Sequence, residues 1–85
     1  MNYRVEITPS AVRQLTGLPR PAQVRLDRKI LRLEKHPRPR GAVKLAGAED
    51  LYRIRVGDYR FIYRIDDRRR VVTIARIGHR RDVYR

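Results

Sequence analysis

The chain has 85 residues, with 22 Lys plus Arg against 9 Asp plus Glu for a net charge of +13, and 41% of its residues are hydrophobic. A chain this short buries roughly 60% of the surface its unfolded form exposes, so residues 1–85 are expected to form a single domain with one modest core and no separate cofactor lobe. Zero cysteines exclude disulfides and cysteine-rich zinc sites, and with no long apolar run and no signal-peptide pattern the expectation is a cytoplasmic protein, off the membrane, with no metal and no cofactor.

The first element reads as a strand, because Tyr3, Val5 and Ile7 alternate with Asn2, Arg4, Glu6 and Thr8. Thr8-Pro9 then supplies an N-cap and a first-turn proline for a short helix carrying Ala11, Val12 and Leu15 and stopped by Gly17. A second helix is expected from Pro21 to about His36, with Leu26, Ile30 and Leu33 on one face. Pro37 and Pro39 prevent its continuation and make the following basic segment a loop. His36, near the helix C-terminus, is explained by the helix dipole without any chemistry.

From Leu51 the pattern turns strand-like: Leu51 to Val56, a turn at Gly57-Asp58, then Tyr59 to Ile65. A charged turn from Asp66 to Arg70 leads into Val71 to Ile77, with Gly78 ending that strand and turning the chain. The expected fold is α+β: a strand, a two-helix hairpin, then a three-stranded antiparallel meander, with the helices packed on one face of the sheet.

A two-residue hairpin at Gly57-Asp58 sets the register and sorts the faces. Tyr52, Ile54, Val56, Tyr59, Phe61 and Tyr63 point one way, suited to covering by the helices. Leu51, Arg53, Arg55, Arg60, Ile62 and Arg64 point the other way, and Arg55 stands directly opposite Arg60. A like-charge cross-strand pair weakens a sheet by a few tenths to about 1 kcal/mol, and removing Arg60 is therefore expected to leave the fold nearly unchanged. A solvated face would mix signs; a face of one sign calls for an anion, and the chain's 19 Arg against 3 Lys favour phosphate, whose geometry a guanidinium matches with two hydrogen bonds.

Past Gly78, the chain clusters His79, Arg80, Arg81 and Tyr84. Cleaving RNA without a metal needs a base for the ribose 2′-OH, cations for the phosphorane and an acid for the leaving 5′-oxygen. His79, as an imidazole, is the best-matched proton carrier in the chain, and Tyr84 is placed to stack on a base or exchange a proton.

The stretch from Asp50-Leu51-Tyr52-Arg53-Ile54-Arg55 through Gly57-Asp58-Tyr59-Arg60-Phe61 to Gly78-His79-Arg80-Arg81-Asp82-Val83-Tyr84, with Tyr3-Arg4-Val5, Leu18-Pro19 and Lys44-Leu45-Ala46-Gly47, resembles the RelE/ParE superfamily of toxin–antitoxin toxins. That resemblance implies a small basic toxin with the element order given above. RelE-like members cut messenger RNA in the ribosomal decoding site, whereas ParE-like members inhibit DNA gyrase without cutting RNA. The Gly78-His79-Arg80 and Val83-Tyr84 segments point to the RelE side, which makes an mRNA endoribonuclease the first expectation and gyrase inhibition the alternative; a nucleic-acid-binding module without toxicity is a third reading.

By resemblance, Arg53 and Arg55 hold the paired basic positions of the second strand, Arg60 grips the phosphate, Arg80 is the basic residue after the last strand, and Tyr84 stacks on the substrate base or assists proton transfer. Together with His79 these form the expected catalytic set, and Arg53, Arg55, Arg60, Arg64 and Arg81 the expected RNA-binding set. Where RelE-like toxins often carry lysines this chain has Arg53 and Arg55, which do not ordinarily deprotonate, leaving the general base open. The implied partners are mRNA on the ribosome and a cognate antitoxin, expected to be acidic and encoded beside the toxin.

Overall fold

A computed structural model describes residues 2–48 and 50–79. In chain order they form β1 (Arg4–Ile7), α1 (Pro9–Thr16), α2 (Arg20–Arg32), β2 (Val43–Lys44), β3 (Leu51–Val56), β4 (Tyr59–Asp66) and β5 (Val71–His79). The strands make one sheet in the order β1-β5-β4-β3-β2. The α+β architecture follows the sequence reading, and the antiparallel hairpins β3–β4 and β4–β5 are its centre. Two features extend it: β1 joins the sheet parallel to β5, and the two-residue β2 pairs with β3 at the opposite edge.

Local chemistry sets the boundaries. Thr8 Oγ1 accepts a hydrogen bond from Ala11 N at 3.1 Å, capping α1 with Pro9 in its first turn. The second helix stops at Arg32, short of the expected His36, and the chain passes through tight turns in which Leu33 N donates to Ile30 O and Lys35 N to Arg32 O. Pro37 disfavours helical geometry at His36, so the last helical bonds tighten before it. Gly78 does not end β5; the strand continues through it to His79, and Gly78 pairs with Arg60.

The apolar faces of α1 and α2 cover one side of the sheet. Ala11, Leu15, Leu26, Ile30 and Leu33 meet Ile54, Val56, Phe61, Tyr63, Ile65, Val72, Ile74 and Ile77 in one buried cluster. Each large apolar side chain so buried contributes roughly 1.5–3 kcal/mol. All six residues assigned to the helix side of β3 and β4 lie in this cluster or against it.

A β-bulge interrupts the last hairpin. Ile62 pairs with Arg76 but Tyr63 pairs with Ile74, which leaves Ala75 as the extra residue. Helix α1 and its cap complete the hydrogen bonding there: Thr8 N donates to Ile74 O at 3.1 Å, Thr8 Oγ1 to Ala75 O at 3.4 Å, and Ile77 N donates to Gln14 Oε1 at 2.8 Å. The edge of β5 beyond β1 is thereby satisfied by the Thr8 main chain and the Thr8 and Gln14 side chains rather than by another strand.

Candidate functional site

The β3–β4 hairpin has the register expected from its two-residue turn, with Val56 opposite Tyr59, Arg55 opposite Arg60, Ile54 opposite Phe61 and Arg53 opposite Ile62. Gly57 takes φ +61° at the first turn position while Asp58 stays at negative φ, the pattern of a type II′ turn. On the sheet face away from the helices, Arg53, Arg55, Arg60 and Arg64 stand together as the sequence predicted.

Their environments differ. Arg55 is exposed, Arg53 is half-buried, and Arg60 is only 8% exposed with its Nε out of reach of solvent. In register, Arg60 lies between Arg55 and Gly78, a glycine that puts no side chain on that side. This burial corrects the expectation that Arg60 is dispensable for the fold. Arg64 donates from Nε to Asp50 Oδ2 at 2.9 Å, so part of its charge is met locally. Farther along the same face Arg4 pairs with Glu6 at 3.3 Å.

The bulge at Ala75 changes which side chains join this face. Before it, Val72 and Ile74 point to the helices; after it, Ile77 does, and Arg76 falls on the arginine face in a row with Ile62 and Arg53. Sequence reading missed Arg76, since a regular strand would place it with Val72 and Ile74. The same shift turns His79 to the helix side, where it pairs in register with Tyr59 and meets its ring edge-on at 6.0 Å between centroids. The structure thus brings the four arginines of β3 and β4 together with Arg76 and sets His79 on the other face. Arg80, Arg81 and Tyr84 lie outside the described residues.

A second polar cluster braces the sheet beside the site. Tyr3 donates to Asp67 Oδ1 at 2.6 Å, and Arg38 grips both Asp67 oxygens at 3.3 and 2.7 Å while its Nε donates to Tyr52 Oη at 3.0 Å. Tyr52 stacks on Tyr63, whose hydroxyl donates to Pro37 O at 2.7 Å. The hydrogen bonds from Arg38 and then Tyr3 hold the Asp67 carboxyl below its ordinary value. The bond to Asp67 raises Tyr3, and burial raises Tyr63.

The arginine face can do one kind of chemistry well. Guanidinium groups fixed on a rigid sheet, one of them largely desolvated, present several donors to phosphate oxygens and stabilise the extra negative charge of a phosphorane. Among the described residues, no group of three His, Cys, Asp or Glu side chains could hold a metal ion, and no helix is long and apolar enough to cross a membrane.

Comparison with known proteins agrees with this geometry. A family model described as the ParE toxin of the type II toxin–antitoxin system parDE matches residues 5–84. Toxin RelG of Mycobacterium tuberculosis is 40% identical over 93 aligned residues that take in 100% of this chain and 99% of RelG. The archaeal RelE–RelB complex from Pyrococcus horikoshii contains a chain that superposes with a TM-score of 0.84 at 38% identity, covering 94% of this chain and 97% of that one. The isolated E. coli RelE toxin superposes with a TM-score of 0.81 at 27% identity, over 96% of this chain and 90% of that one. The chain belongs to the ParE toxin family and is a RelE-like toxin of a type II toxin–antitoxin system.

Proposed function

We propose that this toxin is an endoribonuclease that cuts messenger RNA on the ribosome without a metal ion. In this reading the ribose 2′-OH gives up its proton to water as its oxygen attacks the adjacent phosphorus, the bond to the 5′-oxygen breaks as that oxygen takes up a proton from Tyr84 or water, and the products are a 2′,3′-cyclic phosphate and a 5′-hydroxyl end. Arg60 holds the scissile phosphate, and Arg53, Arg55 and Arg76 spread the charge that develops on it. Removing one such donor typically costs 10²–10³ in rate. Arg64 and Arg81 bind the flanking backbone, Arg80 adds charge, and Tyr84 stacks on the base. His79 is left out of the chemistry because the bulge directs it to the helix side. The ribosome contributes by fixing the strand in an in-line geometry, an effect worth up to about 7–11 kcal/mol in well-oriented systems.

The observation that carries this reading is the pairing of Arg55 with a buried Arg60 on a face that gathers Arg53 and Arg76 as well. Primer extension on a translated message in EDTA, with and without ribosomes, tests it. Discrete cuts bearing 5′-hydroxyl ends are expected, and an uncut message under every condition overturns it.

The match to the ParE toxin model over residues 5–84 favours a second reading, a gyrase inhibitor with no catalytic step. Inhibited supercoiling by purified toxin, together with an intact message, is its signature.

The partner we propose is an acidic antitoxin encoded beside the toxin. The net charge of +13 and the likeness to RelE from a RelE–RelB complex support it. Charge steering makes association fast and salt-sensitive, while apolar anchors set the dissociation rate. The setting of this reaction is the cytoplasm, where translated messages are found.

A further inference from the structure

Six cations converge where α2 passes the open end of β3, away from the centre of the arginine face. Arg25, Arg28, Lys29 and Arg32 of α2 line a hollow of about 430 Å³ with Arg55, and Arg40 joins Lys29, Arg32 and Arg55 around an adjoining one of about 270 Å³. Among the described residues none of the six makes an ion pair or a side-chain hydrogen bond. The four on α2 recur at i, i+3, i+4 and i+7, so they form one stripe. Like charges at i,i+4 weaken a helix. The carboxylates of this region lie on the other flank, where Asp27 and Glu34 line a separate hollow with Val5 and Ile7.

Three details favour a phosphate backbone over a protein segment. The stripe of four cations spans about 10 Å at 1.5 Å per residue, and one strand of a duplex carries a phosphate per ~3.4 Å of axis, about three over that length, a spacing the stripe matches. Every charged residue in the walls is a cation, the rest being Pro39, Gly41, Ile54, Val56 and Gly57, and no aromatic side chain of the kind that anchors a protein partner lines them. Gly57 at φ +61° leaves room for Arg25, whose Nη1 lies 3.1 Å from where a Cβ would stand, so the hairpin turn admits the guanidinium to the groove.

We propose that the α2–β3 groove is a second RNA site, gripping the backbone of a helical RNA without reading its bases while the sheet face takes the strand to be cut. Arg55, shared by groove and face, joins the two into one track. The choice of RNA as the polyanion rests on the endoribonuclease reading.

The test is binding of a fluorescein-labelled, fully 2′-O-methylated RNA hairpin to the full chain across a KCl series. In the triple variant Arg25→Gln, Arg28→Gln, Lys29→Gln, the slope of log K against log salt should shrink by about two to three, near 0.9 per lost phosphate contact. The single Arg28→Gln variant should lose about one, and covers the case in which the triple variant melts early by circular dichroism. Unchanged slopes overturn the groove, as does a parent protein that does not bind the hairpin. Polyglutamate competing as well as unlabelled RNA also overturns it, in favour of an acidic protein segment, and tighter binding of a DNA hairpin of the same sequence overturns the choice of RNA. Unchanged slopes with message still cut leave the endoribonuclease reading standing; an α2-dependent hairpin complex with an uncut message keeps the groove and removes that reading.

Discussion

Arg55 and Arg60 are direct partners across the β3–β4 hairpin, yet Arg55 stands in solvent and Arg60 is only 8% exposed. Two positive charges so placed repel. A bound polyanion offsets that repulsion. An uncleavable 2′-O-methyl RNA should therefore raise the melting temperature, by an amount equivalent to about 2.7 kcal/mol at a hundred times its dissociation constant.

Arg60→Ala should abolish message cleavage and also lower stability by about 1–3 kcal/mol, because a buried stem is lost along with the charge. Urea unfolding of the variant measures the second effect. A variant as stable as the parent would show that the stem contributes nothing to packing.

Arg55→Ala separates function from fold. Its side chain is exposed and half of a repulsive pair, so stability should stay within about 0.5 kcal/mol of the parent or rise. Cleavage on ribosomes should still fall by about 10²–10³. Unfolding curves and primer extension on one preparation give both numbers.

His79→Asn should cleave at close to the parental rate, since the bulge turns this side chain toward Tyr59 and away from the arginines. A loss as deep as that of Arg60→Ala would return the imidazole to the reaction.

The Tyr3–Asp67–Arg38 cluster predicts how stability depends on pH. The folded Asp67 carboxyl sits below its ordinary 3.8, so its contribution is present above the unfolded pKa and is lost as pH falls through the folded one. Tyr3 sits above its ordinary 10.0, so its contribution is present below that value and fades as pH rises through the raised one. The cluster therefore gives a plateau bounded at about pH 4 and about pH 10. Asp67→Asn should lower the plateau and flatten the acid limb in urea midpoints taken between pH 2 and 7, and an unchanged acid limb would assign that titration to other carboxylates.

Much of this arrangement is legible in the sequence, and the reasons are local. A two-residue turn at Gly57-Asp58 leaves a single sensible register, and strict alternation on both flanking strands then divides arginines from aromatics. The capping of α1 is equally local, held in Thr8 and Pro9. The bulge is not legible: from Val71 to Ile77 most residues are apolar or small, so an extra residue at Ala75 leaves no break in the pattern, and the sides taken by Arg76 and His79 were hidden with it. Strand β2 is two residues long and exists only by pairing with β3. The burial of Arg60 is not legible either: it sits in the middle of the sheet between β3 and β5, and its partner Gly78 lies 18 positions further along the chain.

The parallel pairing of β1 with β5 also governs when the fold can close. Arg4 meets Val71 and Ile7 meets Ile74, so the strand synthesised first waits for the strand synthesised last among those described. Until then its backbone donors have no sheet to join, and the Thr8 and Gln14 bonds to β5 cannot form either. Contacts this distant in sequence slow folding. A nascent or truncated chain lacking β5 would hold the β3–β4 arginines on a hairpin with neither Arg76 nor the α1 brace, so a competent phosphate site is among the last things the chain acquires.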